Sequence, residues 1–175
     1  MNRIRRLART LLHGSRRLII ELVRRLGAGT LRFLQDRLLG AIGDLPSIGE
    51  KIYISRLGSS RAALQEQEMI DFLLEEGWTI IQAEKYSFRE QIAIFAHARA
   101  VCGLHGAGLT NLIWCPRGCK VLELCASNFL NGCYEGLAVY NGLDHRYLIL
   151  EADRHYRPSV NLKDFATAIH GLDIG

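Results

Sequence analysis

The chain predicts an α/β fold, with a parallel sheet and helices on both of its faces, preceded by an N-terminal amphipathic helical arm. Three observations carry that expectation. From Lys51 onward, short β-branched and apolar runs alternate with helical patterns, the rhythm of strands joined by crossover helices. In the middle of that region, the apolar run Ala98 to Leu104 halts at His105-Gly106-Ala107-Gly108. It gives way to a short helical pattern, Leu109 to Trp114, before a second apolar run, Lys120 to Leu124, as a strand-turn-helix-strand passage reads. Residues 1–50 have another texture, with leucines at helical spacing and arginines between them.

Taken in order, residues 2–26 place Ile4, Leu7, Leu11, Leu18 and Leu22 on one stripe, an amphipathic basic helix open to a break at Gly14-Ser15. A second helical piece spans Thr30 to Ala41, and the loop Gly43 to Gly49 bounds the compact domain, 51–175. Ile52 to Arg56 reads as the first strand and Ala62 to Glu76 as a helix closed by Gly77. Trp78 to Gln82 is the second strand. Ser87 with Glu90 three residues on forms a capping box for a helix that runs to about Ala98. After the central passage come a helix from Gly132 to Tyr140, a fifth strand from His145 to Leu150, and a last helix from Leu162 to Ile169.

A chain of 175 residues with 49% apolar content supports one domain with its own core. The net charge of +4 is uneven, since residues 1–50 hold ten arginines against four acids. Such an arm suits an anionic membrane surface or a protein partner; nucleic acid is disfavoured because no reading motif accompanies the arginines. The five cysteines are an odd set without a C-x-x-C pair. They fit buried, reduced thiols and a cytoplasmic location, with the arm allowing peripheral contact with a membrane. No metal is expected. No run reaches the roughly 18 apolar residues of a membrane span, and no signal-peptide pattern opens the chain.

The chemistry gathers at the carboxyl ends of the strands. Gly106 and Gly108 are read as positions able to take φ > 0 and to let a ligand approach bare backbone. The N–H groups of Gly106, Ala107 and Gly108 would then face an anion at the start of a helix. His105 sits just before that turn, Arg56 and Arg61 follow the first strand, and Glu123 lies near the end of the fourth. Two arginine forks, a helix start and a carboxylate able to accept from ribose hydroxyls suit a nucleoside diphosphate. Asn111 stands where the dinucleotide fingerprint has its third glycine, which disfavours a nicotinamide site. The plainer alternative is a glycine turn that only packs, with the arginines paired to Glu66 or Glu68.

Ser55-Arg56, Arg61 with Leu64-Gln65-Glu66, Glu90-Gln91-Ile92, His105 to Asn111 as H-G-A-G-L-T-N, Pro116, and Val121-Leu122-Glu123-Leu124 occur in this order. Together they resemble glycosyltransferase family 61, over roughly Lys51 to Leu150. The resemblance implies one Rossmann-like half of a GT-B enzyme, which holds a nucleotide sugar, commonly a UDP-sugar, without metal or other cofactor. It also implies an inverting transfer to a glycan or other hydroxyl acceptor, and in bacterial members surface or capsular polysaccharide synthesis. Carried over position by position, the donor-binding set is Arg56, Arg61, Gly106, Ala107, Gly108, Thr110, Asn111 and Glu123, with His105 as the catalytic candidate. Gln65-Glu66 departs from the family's Asn-Glu. Only fifty residues precede Lys51, too few for the acceptor half, so the expectation is a fragment of a longer polypeptide, an acceptor half from a partner chain, or a remnant that has lost catalysis. The alternative function is a noncatalytic nucleotide-binding or docking subunit acting through the arm, whose unpartnered leucine stripe also points to a homo-oligomer.

Overall fold

The computed structural model describes residues 35–37, 39–40 and 47–174. The readings for residues 1–34 and 41–46, the basic helix and most of the boundary loop among them, lie outside the described residues. Residues 35–37 and 39–40 are helical, as the periodicity from Thr30 to Ala41 predicts. Gln35 anchors them on the domain, its Nε2 donating to the Ile113 carbonyl and, at 2.9 Å, to Asn141 Oδ1.

Five parallel strands form one sheet: β1 Lys51–Ile54, β2 Thr79–Ile81, β3 Ala100–Leu104, β4 Lys120–Ala126 and β5 Asp144–Leu150. Their spatial order is β2-β1-β3-β4-β5. The connections are α1 Glu66–Glu75, α2 Phe88–Ala96, a 3-10 helix Ala107–Trp114 and α3 Cys133–Asn141, and α4 Leu162–His170 follows β5. Alternation along the strands divides the core. Ile52, Val101 and Val121 turn toward α2, the 3-10 helix and α3. Tyr53, Cys102 and Leu122 turn the other way, toward α1 and α4. Strands buried on both faces read as nearly continuous apolar runs, which is why β3 and β4 stand out in the sequence.

The local signals explain the element ends. Ser87 Oγ accepts from Glu90 N–H and Glu90 Oε2 accepts from Ser87 N–H at 2.7 Å, completing the expected box. Gly77 follows α1 with φ +74, the left-handed turn that glycine adopts without strain. Asn161 caps α4 by accepting from the N–H groups of Lys163 and Asp164. Helix α1 starts at Glu66 rather than Ala62, because the preceding segment spends its polar groups on the chain ahead of α4. Leu64 N–H donates to the Pro158 carbonyl at 2.9 Å, and Gln65 Oε1 accepts from Val160 N–H at 2.8 Å. The longer Gln65 side chain therefore spans to a contact 95 residues away. Among the described residues no helix is long and apolar enough to cross a membrane.

A candidate anion and sugar-nucleotide site at the switch point

With this strand order, β1 leads outward to β2 on one side and lies beside β3 on the other. The connections therefore diverge between β1 and β3, the place where open α/β sheets leave a crevice beyond their carboxyl ends. Arg56 leaves β1 at that point and His105 leaves β3. The Arg56 Nη1 group donates to the His105 carbonyl at 3.1 Å, bridging the mouth of the crevice.

Glu66 at the start of α1 fixes the turn that carries Arg56. The carboxylate is 1% exposed, and its Oε1 accepts from Arg56 N–H at 2.6 Å, Ser55 Oγ at 3.0 Å and Tyr53 Oη at 3.2 Å. Ser55 Oγ in turn accepts from Leu57 N–H. Burial first, and the Glu66 charge second, push the Tyr53 phenol up, so the hydroxyl stays a proton donor. In the sequence Glu66 is visible as part of the Leu64-Gln65-Glu66 signature and as a possible surface partner for an arginine side chain; the structure buries it and gives it the Arg56 backbone N–H. Gln91 does similar work from α2. Its Nε2 donates to the carbonyls of Ala83 and Tyr86, and its Oε1 accepts from Asn111 Nδ2 at 2.9 Å. Asn111 also donates to the Gly108 carbonyl. The E-Q-I and H-G-A-G-L-T-N stretches thus meet through one amide pair.

The glycines act differently from the φ > 0 expectation. Gly106 has φ 174, extended backbone, and neither it nor Gly108 adopts a left-handed conformation. What matters is the missing side chain. A Cβ on Gly106 would sit 2.9 Å from Arg56 Nη1, and one on Gly108 would sit 2.7 Å from Ile54 Cγ2. The first glycine admits the guanidinium to the turn, and the second lets the 3-10 helix close on β1. That helix, Ala107–Trp114, is wound more tightly than the α-helical pattern from Leu109 onward implied. Its first turn still lacks intrahelical acceptors for its N–H groups.

Two hollows flank Arg56. One, of about 390 Å³, is as much apolar as polar and runs past Ser55, Ser59, Glu84, Gln91, Gly106 and Asn111, with Ala107 and Gly108 also on its wall. The other, of about 300 Å³, is bounded by Arg56, Arg61, His105, Phe129 and Tyr156 over a floor that includes Leu104 and Leu124. Exposed Arg61 makes no ion pair among the described residues. Phe129 and Tyr156 meet edge to face at 6.1 Å, and Tyr156 is held at φ +61, a conformation unusual for a bulky residue. Half-buried Thr110 lies further along the 3-10 helix and lines neither hollow.

Glu123 does not open on either hollow. It is 2% exposed, with Oε1 on His105 Nδ1 and Oε2 at 2.9 Å from His145 Nε2. Burial pushes its carboxyl up. The hydrogen bonds and charges of the two imidazoles outweigh that, and they hold it below the ordinary carboxylate value. It borders instead a third hollow with His145, Tyr147 and Leu130. His145 escaped sequence reading because only the β4–β5 register, Val121 against His145, brings it to the face of β4 that carries Glu123. His105, Glu123 and Cys125 have donor atoms within 4.8 Å of one another and are the described residues able to hold a metal ion. As they stand they are a poor match for one: the Cys125 thiol, pushed up to about 12 by burial and then by Glu123, stays protonated, and Nδ1 of His105 is committed to Glu123.

Comparison with known proteins places the chain in a family. The Drosophila melanogaster EGF domain-specific O-linked N-acetylglucosamine transferase is 28% identical over 138 residues, covering 68% of this chain and 26% of its own length. The Mus musculus Protein O-linked-mannose beta-1,4-N-acetylglucosaminyltransferase 2 is 26% identical over 123 residues, covering 67% of this chain and 21% of its own length. The chain therefore spans about a quarter of the length of these relatives. The family model described as Glycosyltransferase 61 matches residues 11–122, from within the basic arm to β4 and including β1, β3 and the glycine turn. On that match, the chain belongs to glycosyltransferase family 61.

Proposed function

We propose that residues 51–175 form the donor-binding half of a glycosyltransferase, and that the crevice between β1 and β3 takes the diphosphate of a nucleotide sugar, a UDP-sugar in the first instance. The observation that carries this reading is the bridge from Arg56 to the His105 carbonyl at the switch point, with the glycine turn beside it. A transferred sugar leaves behind a diphosphate of growing negative charge. Arg56, Arg61 and the first-turn N–H groups at Gly106 to Gly108 are placed to stabilise that charge electrostatically, the task a divalent ion performs elsewhere. Metal-independent binding follows as an expectation. The end of the first hollow at Arg56 and the glycine turn suits the phosphates, and the hollow between Phe129, Tyr156 and the arginines suits a flat or ring-shaped part of the same ligand.

The names of both relatives describe N-acetylglucosamine transfer onto protein-linked acceptors, so a UDP-linked N-acetylhexosamine is the first donor to test. Surface-polysaccharide acceptors remain the competing proposal. The test is calorimetric titration with UDP, without and with Mg²⁺, beside Arg56→Ala. The reading expects metal-independent binding that the substitution weakens roughly tenfold or more, the worth of a charge-assisted hydrogen bond. If neither UDP nor other nucleoside diphosphates bind, the donor-site reading is wrong.

A further inference from the structure

His105, Glu123 and His145 lie on three adjacent strands or their ends, and they share one buried carboxylate. His105 is 7% exposed and Glu123 is 2% exposed. A carboxylate buried this deeply is costly unless its lone pairs are satisfied, and here each oxygen has an imidazole. The His105 ring is further wedged by Phe129 and Tyr134, edge to face at 5.5 and 5.1 Å. Its Nδ1 edge is thus fixed, while Nε2 is buried without a hydrogen-bond partner among the described residues. Buried polar atoms without partners are uncommon and call for an explanation. The same residue borders the hollow that holds Arg56 and Arg61.

We infer that Glu123 and His145 are positioning residues for His105, holding its ring so that Nε2–H donates to an anionic oxygen of the ligand bound beside Arg56 and Arg61. The inference rests on the donor-site reading and deepens it, because it names the His105 atom that meets the diphosphate and the residues that hold it there. The carboxylate acts in two ways. By accepting from Nδ1–H it fixes the tautomer, and by standing behind the ring it offsets the charge of an imidazolium that meets a phosphate. His145 occupies the second oxygen, so the carboxylate cannot rotate away from His105. This differs from a ribose contact by Glu123, which would need the carboxylate to reach a ligand beside Arg56, whereas it is buried and borders neither hollow there.

The experiment combines ¹⁵N spectroscopy of the histidine rings with UDP and inorganic pyrophosphate titrations of the full chain. The proteins are the wild type, Glu123→Gln, His105→Gln, the double variant, His145→Gln and Arg56→Ala. In the wild type, the His105 Nε2 resonance should shift when UDP binds, as a hydrogen bond forms at that atom. In Glu123→Gln that shift on UDP binding should shrink, because the ring is no longer held by the carboxylate. The single substitutions at Glu123 and His105 should each weaken UDP roughly ten- to hundredfold, and the double variant should be no weaker than His105→Gln, because Glu123 acts through His105. His145→Gln should fall between wild type and Glu123→Gln. Additive losses, or UDP binding unaffected by Glu123→Gln while Arg56→Ala loses it, overturn the inference and leave the donor site standing. Pyrophosphate binding without UDP binding, still sensitive to Glu123, upholds the inference and refutes the nucleotide reading. If neither ligand binds the wild type, both fail. Chemical denaturation of each variant separates a lost contact from a lost fold.

Discussion

Glu66→Gln tests the frame that holds Arg56. Three donors converge on Oε1, from Arg56, Ser55 and Tyr53, at 2.6 to 3.2 Å. A hydrogen bond to a charged group contributes about 1.5–3 kcal/mol net, against about 0.5–1.5 for a neutral pair. The amide keeps an oxygen of similar shape, so each bond should lose about 1 kcal/mol, about 3 in all. Relief from burying a charge offsets part of this, leaving about 2 kcal/mol. The amide also places an NH₂ where Oε2 now lies buried without a hydrogen-bond partner, which argues against a smaller effect. Glu66→Ala strands all three donors, at about 1–3 kcal/mol each, and should consume much of the 5–15 kcal/mol typical of a domain. Urea unfolding reads both as a lower midpoint with unchanged slope. If Glu66→Gln, or the apolar Glu66→Leu, equals or exceeds the wild type in stability, the carboxylate is not what orders this turn and the reasoning fails.

The two glycines of the turn should separate binding from stability. Gly106→Ala presses on the movable end of Arg56, so UDP affinity should drop severalfold with little change in urea midpoint. Gly108→Ala presses on Ile54 inside the core and should cost about 1–3 kcal/mol; equal midpoints for the two variants would contradict this division. Acid sensitivity should depend on Glu123. Because its carboxyl is held below the unfolded value, it contributes stability above the unfolded carboxylate range, and that contribution is lost as pH falls through the depressed folded value. Glu123→Gln should therefore flatten the acid limb of melting temperature against pH, and an unchanged acid limb would dissociate the carboxylate from that loss. Thiol labelling of the native chain should begin at half-buried Cys133, whereas Cys125, pushed up to about 12, and Cys102, pushed up further by burial, should react only on unfolding. Early labelling of Cys125, read by peptide mass, would refute the burial argument.

Much of this protein is legible in its sequence because the information is local. Periodicity, the Ser87 and Glu90 box, Gly77 and the apolar runs of β3 and β4 each depend on neighbours a few residues away, and they gave the alternation and hence the parallel sheet. The signature residues Arg56, His105 and the glycine turn were likewise visible, since strand ends in such a sheet converge on one edge. What the folded chain alone decided is which of these residues touch. Strand order set the switch point between β1 and β3, and register brought His145 beside Glu123. Contacts across 10, 18 and 22 residues turned Glu66 and Glu123 from plausible surface or ligand carboxylates into buried acceptors. The glycines likewise owe their necessity to Arg56 and Ile54 lying against them, not to their own dihedral angles. A lone sequence encodes conformational preference along the chain, whereas the partners of a buried charge are fixed only when distant segments pack and water leaves.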